Sequence, residues 1–249
     1  MKILLNGFCG FMGREVYKLA KENYEGAEVV MGVDCFSKGD EEVKCVKSFD
    51  DAITDVDCIV DFSHHSLTES LLDFAVKNNI PVVLATTGHT LEEKELIFNA
   101  SKKAPIFYTA NMSVGVALLV DLAKRAAASM PNADIEIIEK HHNRKIDAPS
   151  GTALMLFEEL KEVRENAVAN MGRSGQAKRT PEEIGISSLR MGNVVGEHEV
   201  ILCTSSQTIS IKHEAHSRSL FAEGALVAAK FMVGKKAGLY NMKDMLKDN

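Results

Sequence analysis

Between Glu139 and Thr152 the chain reads Glu-Lys-His-His-Asn-Arg-Lys-Ile-Asp-Ala-Pro-Ser-Gly-Thr. Two histidines, two lysines and an arginine crowd together, and Pro149-Ser150-Gly151-Thr152 then opens a helix. Cationic and titratable groups beside a helix N-terminus suit a small anion and a proton donor. His141 and His142 are adjacent, so on a strand they point to opposite faces and do different jobs. Lys145 follows after a short turn and can reach back toward one of them. Two other readings stay open at this point. Histidine is a common metal ligand, although no Cys/His/Asp/Glu set nearby has ligand spacing, so no metal is expected. The stretch can also be a solvated basic strand end.

The opposite end of the chain carries a second constellation. Gly7-Phe8-Cys9-Gly10-Phe11-Met12-Gly13 lies between an apolar run and a helical pattern. Glycine suits a tight turn whose backbone approaches a pyrophosphate, and the following helix supplies free N–H groups. The spacing is Gly-x-x-Gly-x-x-Gly, not the commoner Gly-x-Gly-x-x-Gly. Asp34 ends the next apolar run, roughly 20 residues beyond, where an acid accepts hydrogen bonds from a ribose. Gly7, Phe8, Cys9, Gly10, Phe11, Met12 and Asp34 are therefore expected at a nucleotide. Two later strand ends, Ala85-Thr86-Thr87-Gly88 and Thr109-Ala110-Asn111-Met112-Ser113, should border it, because ligands sit outside the carboxyl ends of parallel strands. The plainer alternative is a set of ordinary turns, with Asp34 a solvated strand end.

These residues need elements to hold them. Apolar runs over Lys2–Asn6, Ala27–Val33, Cys58–Phe62, Pro81–Ala85 and Ile106–Thr109 predict strands. Helical spacing over Phe11–Asn23, Ser66–Lys77 and Leu91–Ser101 separates most of them. That alternation predicts a parallel sheet covered on both faces. From Ser113 the character changes. A long helix spans Val114–Met130, a strand Ile135–Lys140 and a helix Ser150–Glu165, followed by a polar, mobile loop over 165–181. Ile186–Arg190, Gly196–Thr204 and Thr208–Ala215 then predict strands without helices between them, as in an antiparallel or mixed sheet. Leu220–Val233 predicts a closing helix. The fold class is α/β, with a Rossmann-type parallel-sheet cofactor domain over 1–112 and an α+β domain with a mixed sheet over 113–216. The segment 217–249 is expected to return to the first domain.

The 249 residues are 45% hydrophobic and 26% charged, with a formal net charge of -6. That describes an ordinary globular protein and argues against a general nucleic-acid surface. The five cysteines are odd in number and lack a Cys-x-x-Cys pair, which disfavours a disulfide framework or zinc site and fits reduced thiols in the cytoplasm. The apolar run at the N-terminus is too short for a signal peptide, and no apolar segment reaches bilayer length.

The Glu139–Thr152 stretch closely resembles the signature of the 4-hydroxy-tetrahydrodipicolinate reductase (dihydrodipicolinate reductase) family. The resemblance extends over nearly the whole chain. It takes in the Gly7–Gly13 turn, Asp61-Phe62-Ser63, Thr86-Thr87-Gly88, Asn111 to Gly115, Val195 to His198 and His213 to Phe221. It implies reduction of a cyclic imine-type dicarboxylate by NADH or NADPH, with loss of water, to tetrahydrodipicolinate in lysine and diaminopimelate biosynthesis. It also implies a homotetramer joined through substrate-domain sheets. By the same resemblance, His141 and Lys145 handle the proton, His142 binds substrate, and Gly151 and Thr152 hold a substrate carboxylate. The chemistry agrees, since hydride delivery to a conjugated imine leaves carbanion or enamine character that must gain a proton.

Three departures matter. Phe11 stands where the family commonly has arginine, and Cys35, not a basic residue, follows Asp34. Both changes favour NADH, because Asp34 repels a 2′-phosphate, although Lys38 is near enough in sequence to compensate. Ala85 replaces a frequent glycine and brings a methyl group near the nicotinamide. Two other functions compete with the reductase: a dehydrogenase of another dicarboxylate or aldehyde on the same fold, and a nucleotide-sensing regulator with a degraded site. The retained His141, Lys145 and Gly151-Thr152 argue against both.

Overall fold

The structure is a computed structural model and describes residues 1–39 and 41–248, so Asn249 of the expected C-terminal segment lies outside it. The chain forms two compact units, Met1–Ser113 with Ser219–Asn249, and Val114–Arg218.

In the first unit the elements are β1 (Lys2–Asn6), α1 (Phe11–Lys21), β2 (Glu28–Val33), β3 (Cys45–Val46), β4 (Cys58–Asp61), α2 (Thr68–Asn78), β5 (Val82–Leu84), α3 (Leu91–Ser101) and β6 (Pro105–Tyr108). In the second they are α4 (Val114–Ser129), β7 (Asp134–His141), α5 (Gly151–Lys161), β8 (Val168–Met171), β9 (Glu183–Arg190), β10 (Gly196–Cys203) and β11 (Thr208–Ala215). The chain then returns to the first unit through α6 (Ser219–Met232), β12 (Gly238–Tyr240) and α7 (Met242–Lys247).

The first sheet runs β12-β6-β5-β4-β1-β2-β3, and every pairing is parallel. Its central strands are continuous apolar runs because helices cover both faces. Ile3 to Leu5, Ile59, Val60 and Val82 to Leu84 have no exposed surface. Helix α1 buries Gly13, Val16 and Ala20, spaced three and four apart, on one stripe, and α6 packs against α1, β4 and β5.

The second sheet runs β11-β10-β7-β9-β8. It is mixed: β10 is antiparallel to β7 and β11, while β7, β9 and β8 are parallel. Strand β7 alternates strictly, its inward residues Ile135, Ile137, Glu139 and His141 being buried. The first two pack with Leu119, Ala123, Leu156 and Leu160 of α4 and α5. Inward apolar residues give way to inward charge at the carboxyl end of the strand, and the site lies there.

Elements differ from expectation where they are short. The polar stretch over 165–181, expected to be a loop, contains β8, which is stabilised by parallel pairing to β9. Helix α5 ends at Lys161 instead of Glu165. Strands β3 and β12 have two and three residues, too few to show a period, and exist because an edge strand was open to pair with.

Candidate functional site

Two clusters answer the sequence expectations, one in each unit. In the first, Gly7 takes φ +81°, and a Cβ there would lie 2.5 Å from the Phe62 carbonyl oxygen. A Cβ on Gly13 would collide with the Gly7 carbonyl, so the turn and the start of α1 close only with glycine at both positions. Gly10 is the N-cap of α1 and brings no side-chain cap, and the first turn of the helix holds no acid. The helix N-terminus is thus open to an anion.

Around this turn is a cavity of about 1290 Å³, enough for a dinucleotide, lined by Gly7, Phe8, Cys9, Gly10 and Asp34 among others. The Asp34 carboxylate accepts from the Cys9 and Phe36 N–H groups at 2.9 Å each, which ties the end of β2 to the glycine turn. Arg14, Lys38 and Lys47 line the same cavity. A buried carboxylate, Asp61, braces the floor. It accepts from Asn6 Nδ2 at 2.7 Å and Ser63 Oγ at 2.6 Å, and burial pushes its pKa up. Asn6 and Asp61 end adjacent paired strands, so this contact fixes the loops beside the turn.

The other expected nucleotide contacts sit apart from that lining. Phe11 is the first residue of α1 and is 62% exposed, and Met12 follows it on the helix. Ala85, Thr86 and Thr87 follow β5, and Thr86 Oγ1 donates to the Ser63 carbonyl at 3.2 Å. Thr109, Ala110, Asn111 and Met112 follow β6. There Thr109 Oγ1 donates to the Asn111 carbonyl at 3.1 Å, Asn111 Oδ1 accepts from Ser113 N–H, and Met112 is buried. Both loops leave the carboxyl edge of the parallel sheet, as Gly7 and Asp34 do.

The second cluster is built on the end of β7. Glu139 and His141 lie two apart on a strand, hence on one face. Glu139 has no exposed surface, and His141 Nδ1 lies 2.5 Å from its Oε2. Arg190, the last residue of β9 and the register partner of His141, clamps the same carboxylate through two bonds of 2.7 and 2.9 Å. The Ser150 N–H also donates to Glu139 at 3.1 Å. Burial alone would raise the Glu139 pKa, but the Arg190 and His141 hydrogen bonds outweigh it and hold the group at about 2. An ionised carboxylate only accepts, so His141 Nδ1 carries hydrogen and Nε2 is the atom left to exchange a proton. That nitrogen faces Gly196, where a Cβ would come within 3.1 Å of it.

His198 completes the cluster. Its ring meets the His141 ring edge-on at 5.2 Å, and its Nε2 is 3.0 Å from Ser150 Oγ. Burial, then the neighbouring His141, press its pKa down to about 4, so it is neutral at pH 7. Ser150 Oγ also accepts from Ala153 N–H and caps α5, which aims the Gly151-Thr152 end of that helix. Gly151 is exposed, with open space where a side chain would be.

His142 lies just past the strand. Burial and then the charges of Arg144 and His141 lower its pKa, and its Nδ1 is buried without a hydrogen-bond partner. The Lys145 N–H donates to the His142 carbonyl, and the Lys145 ammonium meets Asp147 at 2.8 Å. Arg190 donates to the Asp147 carbonyl at 2.6 Å, so one guanidinium ties the Lys145 loop to the buried Glu139. The structure therefore brings His141, His142, Lys145, Gly151 and Thr152 to one end of the mixed sheet. It adds Glu139, Arg190, His198 and Gly196, to which sequence reading attached no role. The two-residue spacing of Glu139 and His141 is a local signal; Gly196 and His198 lie in a segment that the family resemblance includes, without a role, and Arg190 comes from a distant strand and leaves none.

The cysteine spacing predicted no cluster, yet the Sγ atoms of Cys9 and Cys45 and a Glu41 carboxylate oxygen lie within 4.8 Å of one another. Burial, then Asp34, push the Cys9 thiol up to about 12.

Comparison with known proteins agrees with this architecture. Residues 1–112 match the family model "Dihydrodipicolinate reductase, N-terminus", and residues 115–246 match "Dihydrodipicolinate reductase, C-terminus". The chain is 43% identical to the 4-hydroxy-tetrahydrodipicolinate reductase of Clostridium novyi (strain NT), covering 99% of this chain and 98% of that one. It is 44% identical to the enzyme of the same name from Caldanaerobacter subterraneus subsp. tengcongensis, again over 99% and 98%. The fold is similar to a dipicolinate-bound dihydrodipicolinate reductase from Paenisporosarcina sp. TG-14, with a TM-score of 0.81, 24% identity and 97% of each chain covered. With both halves matched and relatives above 40% identity along its length, the chain belongs to the dihydrodipicolinate reductase family.

Proposed function

We propose that the protein reduces 4-hydroxy-tetrahydrodipicolinate to tetrahydrodipicolinate with loss of water, in lysine and diaminopimelate biosynthesis, using a nicotinamide dinucleotide. The observation that carries the reading is the Glu139–His141–Arg190 network beside Lys145 and the start of α5. The glycine turn fits a dinucleotide: Gly7 and Gly13 let the turn close tightly against its own backbone, and Gly10 leaves the start of α1 without a side-chain cap beside the cavity. Gly7, Phe8, Cys9, Gly10 and Asp34 would hold it, with Phe11, Met12, Ala85, Thr86, Thr87, Thr109, Ala110, Asn111 and Met112 at its margins. When bound, the nicotinamide supplies the hydride.

The residues of the second unit manage charge and the proton. His142 and the N–H groups at Gly151 and Thr152 receive a substrate carboxylate, a charge-assisted contact that a helix N-terminus favours. Lys145 donates a proton to the carbon or nitrogen that gains electron density, and His141 Nε2 exchanges a proton with substrate or with Lys145. Glu139 keeps the His141 ring in one tautomer and one orientation.

NADH is the preferred cofactor in this reading, because Asp34 accepts from a free ribose hydroxyl and repels a 2′-phosphate. Arg14, Lys38 and Lys47 let NADPH bind as the second choice. The protein works in the cytoplasm; among the described residues no helix is long and apolar enough to cross a membrane. It assembles as a homotetramer through the outward face of the mixed sheet, which carries Ile138, Ile201 and the Lys140–Glu197–Lys212 ion pairs. Freshly made substrate with each cofactor tests the reading. Substrate-dependent oxidation with a higher kcat/KM for NADH supports it, cofactor binding without turnover identifies a sensor, and a strong NADPH preference removes the specificity argument.

A further inference from the structure

Three side chains to which the proposed reaction gives no proton or hydride role converge at one corner of the first unit, and two of them, Cys9 and Glu41, also line the dinucleotide cavity. Cys9 lies in the glycine turn and Cys45 on β3, far apart in sequence. Two backbone links bring them together: Gly7 N–H donates to the Val33 carbonyl at 2.9 Å, and β3 pairs with β2 through Gly32–Cys45 and Val33–Val46. Glu41 comes in from the intervening segment, and the Cys9 thiol donates to its Oε1 at 3.6 Å. All three side chains are partly buried.

We propose that Cys9, Glu41 and Cys45 form a three-ligand site for a soft divalent cation such as zinc or cadmium. Their ligand atoms lie within 4.8 Å of one another. Tetrahedral zinc at Zn–S distances of about 2.3 Å places two sulfurs about 3.8 Å apart, so an inward shift on the order of 1 Å completes the geometry. Two thiolates and one carboxylate select such an ion over magnesium or calcium, which require oxygen ligands. The carboxylate is already oriented: Lys38 N–H donates to Oε1 at 2.9 Å, Gly39 N–H to Oε2 at 2.9 Å, and Ser37 Oγ lies 3.0 Å from Oε2. Such outer contacts hold a ligand in place before the ion arrives. The three residues leave a fourth position for water. Binding releases the thiol protons, about two per ion. Because Cys9 and Glu41 also line the dinucleotide cavity, the metal titration uses the protein without dinucleotide, and its outcome is separate from that of the turnover assay.

Titration of the full-length chain with cadmium decides this, with a phosphine reductant keeping the thiols reduced. The expected result is a thiolate-to-metal absorption band that saturates at about one equivalent, with proton release. Cys9→Ser and Cys45→Ser should each weaken binding at least about tenfold, and Glu41→Gln about tenfold, whereas Cys35→Ser and Cys203→Ser should not. If Cys9→Ser disturbs the turn and fails to fold, Cys45→Ser on the edge strand carries the same decision. An absent or non-saturating band overturns the proposal, as does unchanged affinity in a folded Cys45→Ser variant.

Discussion

The two units present polar chemistry in opposite ways. The first shapes its pocket largely with backbone: glycines that admit close approach, an uncapped helix start, and an acid held by two N–H groups. The second uses buried side chains. Glu139 has no exposed surface and receives hydrogen bonds from His141, twice from Arg190, and from Ser150 N–H, with Ser188 adding to them. A parallel sheet ends in loops whose N–H groups face solvent, so it recognises a ligand cheaply in charge terms. The mixed sheet buries an ionised carboxylate, which is tolerable only while every partner stays in place. One unit should therefore lose binding when altered, and the other chemistry and stability.

The largest expected effect tests that division. Lys145→Ala and His141→Ala should lower turnover by about 10²–10⁴-fold and change dinucleotide affinity less than about threefold. Near-normal turnover in both would remove their roles and with them the contrast.

Next comes the buried network. Glu139→Ala leaves the Arg190 guanidinium without its carboxylate and should cost about 3–5 kcal/mol of stability, read from urea unfolding. The equivalent truncation in the first unit, Asp34→Ala, frees only two partly exposed N–H groups and should cost about 1 kcal/mol. Equal losses would mean that the two carboxylates do the same structural work.

Acid sensitivity sharpens the comparison further. The His198 pKa is about 6.5 in an unfolded chain and about 4 in the fold. Between these values the unfolded chain holds more protons, so stability rises with pH across that window and falls on acidification from pH 6.5 toward 4. The contribution is about 3 kcal/mol, and His198→Asn should flatten that part of the unfolding profile. The smallest effect belongs to the first unit. Asp34→Ala should shift the ratio of NADH to NADPH specificity constants toward NADPH by about tenfold, and no shift would remove Asp34 as the discriminating group.

How much of this was legible beforehand follows the range of each interaction. The strands and helices of the first unit are long, periodic segments, and their apolar runs announce a sheet covered on both faces. Strand β8 gives no sequence signal because it has only four residues inside a polar stretch, too few to show a period, and pairing with β9 makes it a strand. Of the site, the residues contiguous with His141 were readable, since a histidine pair, a lysine and a helix opening are local signals.

The sequence by itself determined the wound nucleotide unit, the glycine turn with Asp34 at its expected distance, and a cationic, histidine-bearing stretch before a helix. All of these depend on spacing along the chain, which periodicity and turn chemistry convert directly into geometry. Only the tertiary structure decided what surrounds them. Pairing of β7 with β9 and β10 brings Arg190 onto Glu139 and His198 onto Ser150, and pairing of β2 with β3 carries Cys45 to Cys9. Those neighbours are set by strand register across long loops, where local sequence holds no record of the partner.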